Sequence, residues 1–223
     1  MVAAIGQSLP VAIGVLISPL PIVAVVLMLV SRRAKVNATA FLLGWFLAIG
    51  IVVTLVALLA GAAAPSDDGP PAWAAWVKIV LGVLLLVVVL RQWQGRPREG
   101  VEPPAPKWMA AIDAFTPVKA FGLAVLLGAV NPKNLLLVVS GGAAIAAAAP
   151  GETTTQVVAA AVFAIVASVG VSAPLVIYLS MGARSASLLE DLKNWMIHNN
   201  AVIMAVLLLV IGAKMIGDGL TTL

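Results

Sequence analysis

Two short motifs place polar or helix-breaking residues inside otherwise apolar stretches: Ser18-Pro19-Leu20-Pro21 and Asn131-Pro132-Lys133-Asn134. The second lies within Gly122 to Ala149, 28 residues whose single charge is Lys133. A continuous helix of that length would run about 42 Å, longer than the roughly 30 Å hydrocarbon core of a bilayer. Proline has no N–H and clashes with the carbonyl four residues back, so Pro132 breaks the helix and Asn131 caps the half that follows. Ser18 and Pro19 stand in the corresponding places of the first apolar stretch. Two half-helix N-termini then approach mid-depth, each with unpaired N–H groups and the positive end of a helix dipole. Lys133 adds a full charge where a cation costs roughly 2.5 to 3.5 kcal/mol on insertion scales. Such a site takes an anion: a sulfate, phosphate or carboxylate. The candidate substrate-binding residues are Ser18, Pro19, Pro21, Asn131, Pro132, Lys133 and Asn134.

Other chemistries lack their residues. There is no cysteine, which removes disulfides, thiolate metal sites and thiol redox chemistry. No acidic residue falls at mid-depth, since Asp113 lies in a link and Asp218 near the end of the last apolar stretch. Exporters of basic amino acids or metal cations are expected to present a buried carboxylate, as is proton coupling. The single histidine, His198, enters the last apolar stretch from the side opposite Ser140, too far for a serine hydrolase pair. No catalytic residue, metal site or cofactor is expected, and the chain is not read as an enzyme.

The elements that position these motifs follow from composition. Hydrophobic residues make up 62% of the 223 and charged residues 10%, with a mean hydropathy of +1.13, which places the chain among integral membrane proteins. Without period-2 alternation the apolar runs read as helices, and the fold class is all-α, a polytopic membrane protein. Six transmembrane helices are expected over about Gln7–Val30, Ala38–Ala63, Trp73–Leu90, Gly122–Ala149, Thr155–Met181 and Ala201–Gly217, the first and fourth broken at their proline motifs. Trp73, Trp76 and Trp93 suit aromatic anchoring of the third. Links after the first, third and fifth helices hold ten basic residues: Arg32, Arg33 and Lys35, then Arg91, Arg96, Arg98, Lys107 and Lys119, then Arg184 and Lys193. The other links, Pro65 to Pro71 and Pro150 to Glu152, hold none. The positive-inside rule therefore puts both termini outside. The basic charge is accounted for by topology, so no nucleic-acid partner is implied.

Each proline motif lies in the first of three helices, and three spans is an odd number, so the halves insert with opposite orientation: two inverted three-helix repeats, 1–93 and 121–223, joined by a linker at 94–120. Lys107 to Phe115 and Ser187 to Met196 have the spacing of interfacial amphipathic helices, while Gly95 to Pro106 reads as a flexible linker. Pro174 is expected only to kink its helix, and Lys214 and Arg91 to anchor at the interface. Ser140, Gly141, Gly142 and Ser168 suit close helix packing, and small residues in helices 2, 4 and 5 permit a homodimer.

The chain resembles the glycolipid-addressing proteins (the GAP family, including sulfolipid- and peptidoglycolipid-addressing proteins) of the LysE exporter superfamily. The resemblance covers nearly the whole chain. It rests on Ser18-Pro19-Leu20-Pro21, Lys107-Trp108-Met109 through Ile112-Asp113, Asn131-Pro132-Lys133-Asn134-Leu135, Trp195 to His198, and Gly212-Ala213-Lys214. It implies a six-helix bacterial inner-membrane protein that helps move cell-envelope glycolipids outward, either carrying the lipid or assisting a larger exporter. A related branch of thiol-disulfide electron carriers places cysteines beside these prolines, where this chain has Ser18 and Asn131. Three functions remain open: an exporter of a glycolipid or other anionic amphiphile, a non-transporting partner of lipid-export machinery, or a LysE-type exporter of amino acids or ions.

Overall fold

The computed structural model describes residues 1–62, 72–94 and 111–221, and the regular elements among them are all helical. Helices α1 (Val2–Leu16) and α2 (Pro19–Leu29) meet at a 50° bend. Then come α3 (Ala34–Ala62), α4 (Ala72–Gln94) and a 3-10 turn, Ile112–Ala114. Helix α5 (Pro117–Val125) runs into a π turn, Leu126–Val130, and meets α6 (Pro132–Ala148) at a 62° bend. Helices α7 (Thr153–Met181) and α8 (Ser185–Leu220) complete the bundle.

Both bends fall at the expected prolines, for the same reason. The ring of a proline bars helical geometry to the residue before it, and Ser18 (φ −62°, ψ 113°) and Asn131 (φ −61°, ψ 119°) take nearly identical extended conformations. Pro174 interrupts no element: α7 continues through it for 29 residues. Neighbouring helices commonly re-satisfy the backbone around such a proline in a membrane.

Among the described residues, three helices are long and apolar enough to cross a membrane, α3, α7 and α8, and the number rises to five when each bent pair counts as one span. The chain is a helical membrane protein. Helix α4, with Lys78 and Arg91 among its 23 residues, stands outside that count. Helix α1 starts at Val2 rather than near Gln7, and α5 starts at Pro117, capped by the Thr116 hydroxyl, rather than at Gly122. Ser187 to Met196, expected as a separate interfacial helix, forms the first turns of a single 36-residue helix. No glycine or proline occurs between Ser185 and Ile211, so nothing there ends it. The links at 65–71 and 95–106, Lys107 to Ala110 and the Trp73 side chain lie outside the described residues, and Ile112–Ala114 is a 3-10 turn rather than part of an amphipathic helix.

Helix α3 lies at the centre, packed on α5, α6 and α7, while α4 packs chiefly on α8. Phe41 and Trp45, both fully buried, stack with centroids 6.5 Å apart, and the Trp45 Nε1–H donates to the Ala167 carbonyl of α7 at 3.2 Å. Close backbone approach sets the remaining crossings, as is usual where lipid supplies no hydrophobic drive between helices. A methyl group at Gly170 of α7 would stand 2.0 Å from the Leu16 carbonyl oxygen, where α1 ends. Gly82 of α4 and Gly212 of α8 each face the other's carbonyl oxygen, at 2.8 and 3.0 Å from where a Cβ would be.

Gly170→Ala therefore drives a methyl into backbone that cannot rotate away, and should lower stability by about 1–3 kcal/mol. Gly50→Ala, whose methyl would meet Ala164 Cβ at 3.6 Å, should leave stability unchanged or raised. Thermal unfolding of the two purified variants in detergent separates these outcomes; equal melting curves would contradict the crossing described.

Candidate functional site: the paired helix breaks

At the second break the backbone ladder shifts register. The Asn131 N–H bonds the Leu126 carbonyl, five residues back, at 2.8 Å. In that register the Leu127 carbonyl would next receive the N–H of residue 132, which is proline and has none. The Asn134 side chain fills the gap: its Nδ2 donates to the Leu127 carbonyl at 2.7 Å. Asn131 caps α6 as expected, its Oδ1 accepting from the Lys133 N–H at 3.2 Å. Asn134 is 1% exposed, and its Oδ1 is buried with no hydrogen-bond partner among the described residues.

The first break is sealed. Ser18, Pro19 and Pro21 are all buried. Ser18 occupies the N-cap position, yet its side chain makes no cap hydrogen bond, contrary to expectation. Thus the two motifs share backbone geometry but differ in access, because Asn131 and Lys133 are half-buried and Pro132 is exposed. The Lys133 ammonium makes no hydrogen bond or ion pair among the described residues.

The motifs are joined through packing. Helix α2 touches the π turn that leads to Asn131, and α1 lies along α6. Gly14 of α1 faces Leu137, one turn beyond Lys133, and Ile211 of α8. No hydrogen bond connects the Ser18 and Asn131 motifs among the described residues.

Two further features emerge from the structure. Lys78, a third lysine within an apolar helix, was legible in the run Lys78-Ile79-Val80-Leu81 but escaped the reading of charge-free stretches. It lines a cleft between α1, α4, α6 and α8 together with Gln7, Ser140, Lys214 and Asp218. Lys214, expected as an interface anchor, is ion-paired with Asp218 one turn away. Ser140 is buried and donates to the Leu136 carbonyl of its own helix at 2.6 Å, in keeping with a packing role.

The fold and the breaks define a helical membrane protein in which two proline-broken helix pairs flank a common core and one break carries a lysine without a partner among the described residues. The family model described as Sap, sulfolipid-1-addressing protein, matches residues 9–221, and the chain belongs to that family. This agrees with the glycolipid-addressing resemblance and gives the protein a lipid-related membrane role. No curated protein and no solved structure matches the chain.

Replacing Asn134 by Leu removes the donor to the Leu127 carbonyl and should cost about 1–3 kcal/mol, the range for a buried polar group left unpaired. Hydrogen exchange at Leu126 to Asn131 should quicken in this variant. Unchanged exchange there would show that the π turn holds without the amide.

Proposed function

We propose that the protein moves an anionic, lipid-anchored cell-envelope glycolipid outward across the bacterial inner membrane, with Lys133 meeting the headgroup at the Asn131-Pro132-Lys133-Asn134 break. The observation that carries this reading is the half-buried Lys133 ammonium, set at the positive end of α6 with no counter-charge among the described residues. An anion lowers the energy of that arrangement and a cation raises it. The sulfolipid in the Sap family's description agrees with a sulfated headgroup.

Six spans in two inverted repeats, LysE-like, with both termini outside, form the topology of this proposal. Several pairings support it. Helix α1 packs on α7 as α5 packs on α3, α2 reaches α8 as α6 reaches α4, and the third helices of the two halves, α4 and α8, form the most extensive interface. The matching dihedral angles of Ser18 and Asn131 point the same way. Enzymatic lipid processing has little support: the Ser140 hydroxyl is engaged within α6, and His198 lies 16 residues before Lys214, about 24 Å along α8, whereas Ser140 and Lys214 line one cleft. Candidate partners are the lipid itself, a second copy of the chain and larger lipid-export machinery.

A non-transporting role beside such machinery is the second reading, favoured by the exposed Leu188 and Trp195 on the first turns of α8. Lys133→Met separates the two. With protein level unchanged, outward transfer of a sulfated lipid in proteoliposomes should fall about tenfold to a hundredfold, the equivalent of one charged hydrogen bond, and Lys133→Arg should retain part of it. Undiminished transfer by Lys133→Met, with loss of export in cells on Trp195→Ala, would replace the carrier reading by the accessory one.

A further inference from the structure

The cleft beside the middle of α6 shares the positive charge of the tetrad. Lys78 enters it from α4, Lys214 and Asp218 from α8, Gln7 from α1 and Ser140 from α6. These positions lie near the helix ends that the proposed topology puts outside: Lys78 is the seventh residue of α4, and Lys214 is six residues from the end of α8. Lys214 is held by Asp218, whereas the half-buried Lys78 ammonium has no hydrogen bond or ion pair among the described residues. Among the described residues, two lysines against one carboxylate give the cleft lining a net positive charge. The cleft has a volume of about 20 Å³, room for one water, so a larger group requires lining side chains such as the partly exposed Lys214–Asp218 pair to move.

The cleft and the tetrad share a face of one helix. Ser140 is seven residues beyond Lys133, which at 100° per residue returns to within about 20° of the same direction, and lies about 10.5 Å further along α6. Leu137, between them, is fully buried. It meets Gly14 of α1 and Ile211 of α8: a methyl at Gly14 would stand 3.7 Å from Leu137 Cδ1 and 2.5 Å from Ile211 Cδ1. Ile211 also lines the cleft. Two positive sites are therefore separated by one apolar layer.

We propose that Lys78 and Lys214 form a second, outward anion site, in which the sulfate, phosphate or carboxylate of an amphiphile replaces the Asp218 carboxylate on Lys214 after passing the Gly14–Leu137–Ile211 layer. This rests on the carrier reading for its direction of travel, but the site itself stands on its own residues. The anion exchanges with Asp218 on Lys214 and gains Lys78, which has no counter-ion among the described residues. Asp218 thereby keeps the site closed until a headgroup arrives.

The test titrates the purified full-length protein with sulfatide in neutral detergent, reads bound lipid by native mass spectrometry, and uses galactosylceramide as the uncharged control. The wild-type protein should hold two sulfatides and no galactosylceramide with comparable affinity. Lys78→Met/Lys214→Met should weaken one of the two by about tenfold or more. Asp218→Asn should tighten that same site severalfold, because the competing carboxylate is gone; weakening instead would overturn the exchange. Retention of both lipids at wild-type affinity by the double variant would overturn the site. If the double variant does not fold, Lys78→Gln alone must show the loss, and wild-type binding by it is equally decisive. Loss of a sulfatide in the double variant with none lost in Lys133→Met supports the outer site and removes the central one; the reverse pattern does the opposite. Competition by sodium sulfate supports a site that reads the anion alone, and failure of sulfate to compete supports one that requires the lipid as well.

Discussion

One missing hydrogen organises the second half of this protein. Because Pro132 has no N–H, the Leu127 carbonyl has no partner in the shifted ladder of the π turn, and an unpaired carbonyl inside a bilayer costs several kcal/mol. The Asn134 amide supplies that partner. A buried asparagine then follows the proline by two residues for a reason of backbone chemistry, and Asn131 precedes it for another, since its side chain caps the restarted helix. Lys133 lies between two residues that hold the break in shape. Its own side chain is left without a structural duty in the described part of the protein, which is why its charge points to something outside the chain.

The first break uses the same proline geometry with a different outcome. Ser18 has the extended dihedral angles of Asn131, but its cap position, with Pro19 and Pro21, is covered by neighbouring helices. The cover includes α7, whose Gly170 lets the end of α1 press against it. A closed break beside an open one gives the pair a polarity that the sequence symmetry alone does not contain. The first motif fixes how α1 and α2 lie, and the second presents polar groups.

Much of the fold was legible because membrane helices obey strong local constraints. A proline within a long apolar run announces a bend, and both bends lie where Pro19 and Pro132 predict. The helix class and the capping role of Asn131 also follow from residues read singly, whereas the lipid-related family rests on a resemblance of motifs spread over nearly the whole chain. Features that depend on two helices meeting were harder. Ser18 and Asn131 look equivalent in sequence, and only their packing distinguishes them. The fusion of Ser187 to Met196 with the last span reflects the absence of a breaker, which is visible in sequence but easily overruled by the change from polar to apolar composition. Lys214 looks like an anchor until Asp218, one helical turn on, is seen to face it.

Lys78 shows how the reading of charges changes once helices are assembled. In sequence it is one cation near the start of an apolar run, where snorkelling to the interface would account for it. In the bundle it shares a cleft with Lys214, and the one carboxylate there among the described residues pairs with that second lysine. A lysine that could reach water would gain little from such company, since like charges raise one another's energy unless an anion lies between them. Lys133, at the start of α6, likewise has no counter-charge among the described residues. Two positive sites separated by the apolar contact of Gly14, Leu137 and Ile211 are each more favourable with an anion present, and neither can share that anion without opening the layer between them. On the proposed carrier reading, an amphiphile moving along α6 leaves one well before entering the next, so that the depth of each well is limited by the need to release into the other.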